Sequence, residues 1–304
     1  MSVFQLGPII KNRREELGFS QEDLADGICA VPTLSRIENG ERLPTKNHFE
    51  MLMQRLGYSA MSLDYFTGKE EFLIHELKFK IRQLYVAKDY AAAKASMNRL
   101  KELLANPSRV DEQFVLLYGT LLYQEQFDLT QKLERFETAL SLTQPRYKSA
   151  FFRVLSYEEI ILLNNIALCY GRLGNTDRAI EIWYTIKEYY ERHMLSTEEI
   201  LRTQPMVLYN LSKYLGLQKK YDECLEICSI GIRVARSSGR CTQLGKMLFN
   251  YGWTLINRNH IGDREIAKQY IMQAYQFEVI MGNDDLAETI HSYLGNIYST
   301  ENLV

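Results

Sequence analysis

Proline is scarce in this chain, with six in 304 residues. Proline breaks helix interiors and central strands, so its scarcity leaves long helices free to form. Long hydrophobic runs are missing as well. The longest apolar stretch, Phe114 to Tyr123, contains Gly119 and Thr120 and falls well short of the ~20 residues a membrane-spanning helix needs. No charged-then-apolar leader with a cleavage site opens the chain, so a cytoplasmic location is expected, with no membrane partner. The five cysteines, Cys29, Cys169, Cys224, Cys228 and Cys241, are odd in number and show no CxxC spacing. That pattern argues against a disulfide framework and for reduced thiols packed in a core, with Cys224 and Cys228 on one helical face.

Catalytic signatures are equally absent. The histidines (His48, His75, His193, His260, His291) are scattered, and no HExxH, glycine-rich phosphate loop or GxSxG is present. Adjacent acids such as Glu158-Glu159 and Glu198-Glu199 are consecutive on a helix, point in different directions and read as solvated faces. No enzyme activity, catalytic residue, metal or cofactor is therefore expected. Net charge is −2, and residues 1–66 carry seven basic side chains against nine acidic ones. Phosphate contacts normally supply much of the affinity for nucleic acid, so any DNA binding by this chain should require a dimer.

What is present is led by one stretch, Ser20 to Pro44, SQEDLADGICAVPTLSRIENGERLP. Ser20 is an N-cap oxygen, and Glu22 and Asp23 place negative charge on the first turn of a short helix. Leu24 and Ala25 form its apolar face, and Gly27 stands where the chain must turn sharply. A second helix fits Pro32 to Asn39, with Leu34 and Ile37 on one face and Asn39-Gly40 as the stop. Two short helices about a tight turn are the geometry that places the second in a major groove. Around them, the spacing predicts a first helix from Val3 to Leu17, a fourth from Thr45 to Leu56 and a short fifth near Met61 to Phe66.

The order GFSQEDLA, LSRIENG and then a proline resembles the Xre-type helix-turn-helix of phage and bacterial repressors, a lambda-repressor-like five-helix domain. The turn GICAVPTLS is one residue shorter than usual and lacks the glycine before the recognition helix. That variant resembles the peptide-responsive branch that includes Rgg, NprR, PlcR and PrgX. The resemblance implies that Arg14 pairs with Glu38, tying the first helix to the third, and that Gln21 bonds a phosphate. It further implies that Val31, Pro32, Thr33 and Arg36 face the groove; Arg42, just beyond the motif, is read with them as a DNA contact.

From Glu70 onward the pattern is a helical repeat. In NNIALCYGRLGNTDRAIEIW, the residues Ala167, Tyr170, Gly174, Ala179 and Trp183 follow tetratricopeptide spacing. Weaker copies carry Ser212 with Cys224, Gly252 with Ala267, Ile81 with Ala93, and Gly119, while Leu286 to Tyr298 reads as a capping helix. The expected architecture is all-α: a reader over residues 1–67, then over 68–304 about five tetratricopeptide-like helix pairs in a right-handed superhelix. No long linker separates the two, so they should move as coupled bodies.

Asn165, Asn210 and Asn250 each stand two residues before a small packing position, Ala167, Ser212 and Gly252. Equal phase puts them on one concave wall, where a carboxamide can hold any peptide unit. The groove asparagines of the peptide-responsive regulators imply the same use. Lys213 and Trp253 share that wall, as a partner for a peptide carboxylate and an apolar surface. The alternative is that these polar residues cap helices or bridge repeats. The implied function is a homodimeric transcription regulator that binds a near-palindromic double-stranded DNA operator and senses a short signalling peptide, as in quorum sensing. Two other readings stay open: a ligand-independent dimeric repressor, and a scaffold whose repeats dock a protein partner.

Overall fold

Serine and aspartate caps, followed by apolar residues every three or four positions, divide the chain into helices joined by short turns. The computed structural model describes residues 6–57, 69–147, 154–193, 198–239 and 241–298. The expected fifth reader helix, the 67/68 boundary and the segment Ser299 to Val304 lie outside these residues. Among the described residues there is no strand. They form two compact units, residues 1–175 with 188–195, and residues 176–187 with 196–304.

The first unit begins with the reader: α1 (Leu6–Glu16), α2 (Gln21–Ala25), α3 (Val31–Glu38) and α4 (Lys46–Arg55). Ser20 caps α2 in a reciprocal box with Asp23, and Thr45 caps α4 through the His48 amide, as the sequence predicted. Leu24, Leu34, Ile37, Leu52 and Leu56 are fully buried between these helices. Gly7 lets α1 meet the end of α3, since a Cβ there would lie 2.4 Å from the Ile37 carbonyl oxygen. The unit continues through α5 (Lys69–Val86), α6 (Tyr90–Leu103), α7 (Arg109–Leu122), α8 (Leu129–Ser141) and α9 (Tyr157–Arg172). Helix α5 packs on α6, α7 on α8, and α8 on α9.

Helix α10 (Thr176–His193) leads to the second unit, with α11 (Glu198–Leu217), α12 (Tyr221–Ser238), α13 (Leu244–Arg258), α14 (Asp263–Ile280) and α15 (Asp284–Tyr298). Helices α11 and α12 pack together, as do α13 and α14, and α15 packs on α14. The small positions do the work their spacing predicts. A Cβ on Gly252 would lie 2.5 Å from Ile271 of α14, and Ser212 and Ala267 are fully buried. Trp183 is also fully buried, its ring 4.8 Å from that of Tyr214. The cysteines are free thiols, and Cys224 donates to the Ser212 carbonyl at 3.1 Å.

Candidate DNA-reading site and its mounting

Helix α3 carries its apolar residues Leu34 and Ile37 inward, which turns the rest of its surface outward. Pro32 and Arg36 are exposed and Val31 and Thr33 half-buried. Arg42, exposed just beyond α3, is held near it by its amide donating to the Arg36 carbonyl at 3.2 Å. Among the described residues no carboxylate pairs with the Arg36 or Arg42 side chain, so both charges face outward uncompensated.

Behind this row a buried ion pair sets the tilt of α3. Arg14 Nε donates to Glu38 Oε1 at 2.6 Å and Nη2 to Oε2 at 3.0 Å, while Nη1 holds the Phe19 carbonyl at 2.8 Å. The bond to Glu38 is the largest cause holding the Arg14 guanidinium above its ordinary pKa, and burial opposes it. Gln21 is half-buried and its amide donates to Glu38 Oε2 at 2.8 Å. In this arrangement the Gln21 nitrogen braces the ion pair.

The reader is mounted on the repeats of its own unit through α4 and the turn after α2. Asn47 accepts the Arg109 amide at 3.1 Å, and Glu50 accepts the Ser108 hydroxyl, both at the start of α7. Gln54 donates to Glu158 at 2.5 Å, and Arg82 of α5 donates to the other oxygen of the same carboxylate at 2.8 Å. Arg55 donates to the Asp26 carbonyl and lies 3.7 Å from Glu159. Glu159 also accepts the Thr143 hydroxyl at 2.6 Å and the Ser156 amide at 2.7 Å, and Gln113 donates to Thr143 at 2.6 Å. Gly27, in a left-handed conformation (φ +70°), rests against the Thr143 carbonyl, where a Cβ would lie only 2.9 Å away.

One expectation is overturned here. Glu158 and Glu159 are not a solvated face: each is 2% exposed, and each reaches a different residue of α4. They do point apart, but both directions are occupied by protein. The missed signal was local, because Ser156 and Glu159 make a capping box that aims the carboxylate back past the helix start. Beside them Lys78 meets Asp111 at 2.5 Å. Burial alone would push the Asp111 carboxyl up, but the Lys78 charge, its hydrogen bond and the Ser108 bonds outweigh this and hold it below its ordinary range.

The predicted peptide wall divides between the units. Asn165, half-buried in the first, donates back to the Ile161 carbonyl at 2.8 Å. In the second, Asn210 is buried on α11, and Asn250 of α13 donates across to Ser212 at 3.0 Å. Lys213 is exposed, and Trp253 is half-buried with its ring against Gly216, 3.1 Å from where a Cβ would stand. Lys246, unremarked in the sequence, sits with its ammonium 5.5 Å from the Tyr209 ring centre. Among the described residues no group of three or more His, Cys, Asp or Glu could hold a metal, and no helix is long and apolar enough to cross a membrane.

A recognition helix with one outward arginine on it and a second just beyond it, braced by a buried ion pair and mounted on helical repeats, defines a helix-turn-helix transcription regulator, and the helix-turn-helix pattern matches residues 10–62. The RNPP family C-terminal domain matches residues 132–290, more than half of the chain, and the chain belongs to that family. Its class is that of transcription regulators, not enzymes. Among solved structures, Bacillus thuringiensis PlcR in complex with the peptide PapR7 and DNA is similar over 94% of this chain and 99% of that one, at 20% identity and a TM-score of 0.57. The apo form of ComR from S. thermophilus is similar over 96% of this chain and 98% of that one, at 18% identity and a TM-score of 0.55. These likenesses establish the fold. A comparison with curated proteins finds no matching relative.

Proposed function

We propose that the chain is a cytoplasmic homodimer that reads a near-palindromic DNA site through residues 1–67 and senses a short peptide through residues 68–304. The observation that carries this reading is two outward arginines that no carboxylate of the described residues pairs, Arg36 on α3 and Arg42 just beyond it, with α3 fixed from behind by Arg14 and Glu38. Val31, Pro32, Thr33 and Arg36 face the groove; Arg42 and Gln21 meet phosphates. The structures similar in fold include PlcR with a peptide and DNA, and ComR with DNA and its signalling peptide ComS. Here the peptide lies along Asn210, Lys213, Asn250 and Trp253 of the second unit; Asn165 holds the matching sequence position in a repeat of the first. Peptide binding shifts the angle between repeats and so the spacing or mobility of the two readers. Coupling of this kind is reciprocal: DNA must change peptide affinity by the factor by which peptide changes DNA affinity.

The test is a gel-shift titration against the DNA flanking the chain's own gene, across salt concentrations, with wild type and Arg36→Ala. Loss of a base contact costs about 1–3 kcal/mol and relaxes specificity at one position, with the thermal midpoint unchanged. Unchanged affinity and specificity would remove Arg36 from the reader.

A second reading is favoured by the Asn250 bond to Ser212, which is a bridge between helices. On that reading the asparagines are structural, and the repeats only dimerise or dock a protein partner. Peptides added to the purified protein would then leave its thermal midpoint unmoved, whereas a ligand of the folded state must raise it.

A further inference from the structure

Small positions in the second unit are filled by their neighbours. A Cβ would lie 2.1 Å from Met247 at Gly231, 2.5 Å from Ile271 at Gly252 and 3.1 Å from Trp253 at Gly216. Gly119 of α7, which holds the small position of an earlier repeat, is buried, and yet a Cβ on it would meet nothing within 4 Å among the described residues. The unfilled space is a cleft with α7 as its floor and α6 and α8 as its walls. Its larger part, about 480 Å³, is lined by Leu104, Pro107, Val115, Leu116 and Leu142, with Glu112 and Thr138 among them. It runs on past Gly119 into a smaller part of about 270 Å³ beside Tyr123, Phe127, Gln126 and Arg135, and Lys101 borders both.

The two ends differ in charge. Arg135 lies with its guanidinium 4.3 Å from the Phe127 ring centre and donates to Thr120 at 2.9 Å, and Lys101 lies 5.9 Å from the Tyr123 ring centre. Among the described residues neither cation pairs with a carboxylate. At the other end stands the exposed Glu112 carboxylate, and Thr138, whose hydroxyl donates to the Glu134 main-chain carbonyl at 2.7 Å, keeps its lone pairs to accept.

We propose that this cleft binds the C-terminal end of an apolar peptide, its carboxylate between Lys101 and Arg135 and its side chains over Val115, Leu116 and Leu142. Glu112 and Thr138 accept main-chain amides. A saturated acyl chain of the same volume offers neither acceptor a donor. From Glu112, Gly119 is about 10 Å and Tyr123 about 16 Å along α7 at 1.5 Å per residue. An extended peptide advances about 3.3 Å per residue, so roughly three to five residues fit. The site uses α6, α7 and α8 and none of the helices that carry Asn165, Asn210 and Asn250, so it and the peptide sensing proposed above stand or fall separately.

The experiment uses the full chain and the tetrapeptide Ala-Leu-Leu-Val, labelled with fluorescein at its N-terminus, read by anisotropy. Wild type should bind it saturably, and amidating its C-terminus should weaken binding by about tenfold or more, as should Lys101→Glu on the exposed rim. Gly119→Leu should abolish binding with the thermal midpoint kept or raised, because it fills open space and removes a glycine from a helix interior. Asn210→Ala should leave this binding unchanged. No saturation by ~1 mM probe would overturn the proposal, as would equal binding of the amide, or undiminished binding by both Gly119→Leu and Lys101→Glu. Displacement by decanoate as readily as by unlabelled peptide would assign the cleft to acyl carboxylates and overturn the peptide.

Discussion

Arg55 of α4 and Glu159 of α9 face each other at 3.7 Å with both side chains 2% exposed. The same guanidinium holds the Asp26 carbonyl, so one side chain joins the recognition motif, α4 and the repeats. Among the described residues Arg55 Nη2 finds no hydrogen-bond acceptor, which leaves a buried donor to Coulomb attraction alone. An unmet buried donor costs about 1–3 kcal/mol, so the joint sits short of its tightest state, and a small shift of α9 would tighten or release it.

Truncating either partner should therefore cost more than the contact itself contributes, because the other charge stays buried. Arg55→Met and Glu159→Leu alone should each lower stability by roughly 3–5 kcal/mol, and the double variant should recover part of that loss. Urea unfolding of the full chain supplies the cycle, and strict additivity of the two losses would show that the pair is not coupled.

Arg14 and Glu38 follow the same rule inside the reader. Arg14→Ala leaves the fully buried Glu38 carboxylate with Gln21 as its one side-chain partner among the described residues, which should cost about 3–5 kcal/mol. The expected result is loss of DNA binding together with an early unfolding step, seen by circular dichroism. A variant that lost DNA binding with its unfolding curve intact would place Arg14 on the DNA.

Asp111 makes the fold sensitive to acid. Its folded pKa is depressed below the ordinary 3.8. A depressed carboxylate contributes stability above its unfolded pKa and loses it as pH falls through the folded value. Stability should thus drop as pH falls below about 4, and Lys78→Met should flatten that limb of the curve. A thermal-midpoint series from pH 7 to pH 2.5 checks it, and an unchanged acid limb in Lys78→Met would show that the pair does not govern it.

Asn250 and Ser212 separate the ligand role from the bridge. If Asn250 only bridges, Ser212→Ala and Asn250→Ala should lower the thermal midpoint alike, by the ~1 kcal/mol of one hydrogen bond. If Asn250 holds a peptide, Asn250→Ala alone should also blunt the effect of peptide on DNA affinity. The decisive comparison is the peptide response of the two variants side by side.

The reader was legible because its signals are short in range. Ser20 caps a helix through Asp23, three residues on, and Leu34 and Ile37 turn α3 inward by their spacing. The Arg14–Glu38 pair came from resemblance, and at 24 residues apart no local pattern would have found it. The repeat positions Ser212, Gly252 and Ala267 were legible for the same reason as the caps, since close helix packing demands small side chains at fixed spacing. Gly119 had the same spacing and the opposite environment, which spacing alone does not distinguish.

By itself the sequence determined where helices start, which faces they bury and which residues of α3 are left to face outward. These depend on contacts within one or two turns, whose energies are set by the residues themselves. Only the tertiary structure decided what Glu158 and Glu159 are for. Their partners lie 104 residues away at Gln54, 76 away at Arg82 and in a different helix at Arg55. A carboxylate at a helix start has the same local pattern in water or in an interface; which it meets depends on chain segments brought together only by folding.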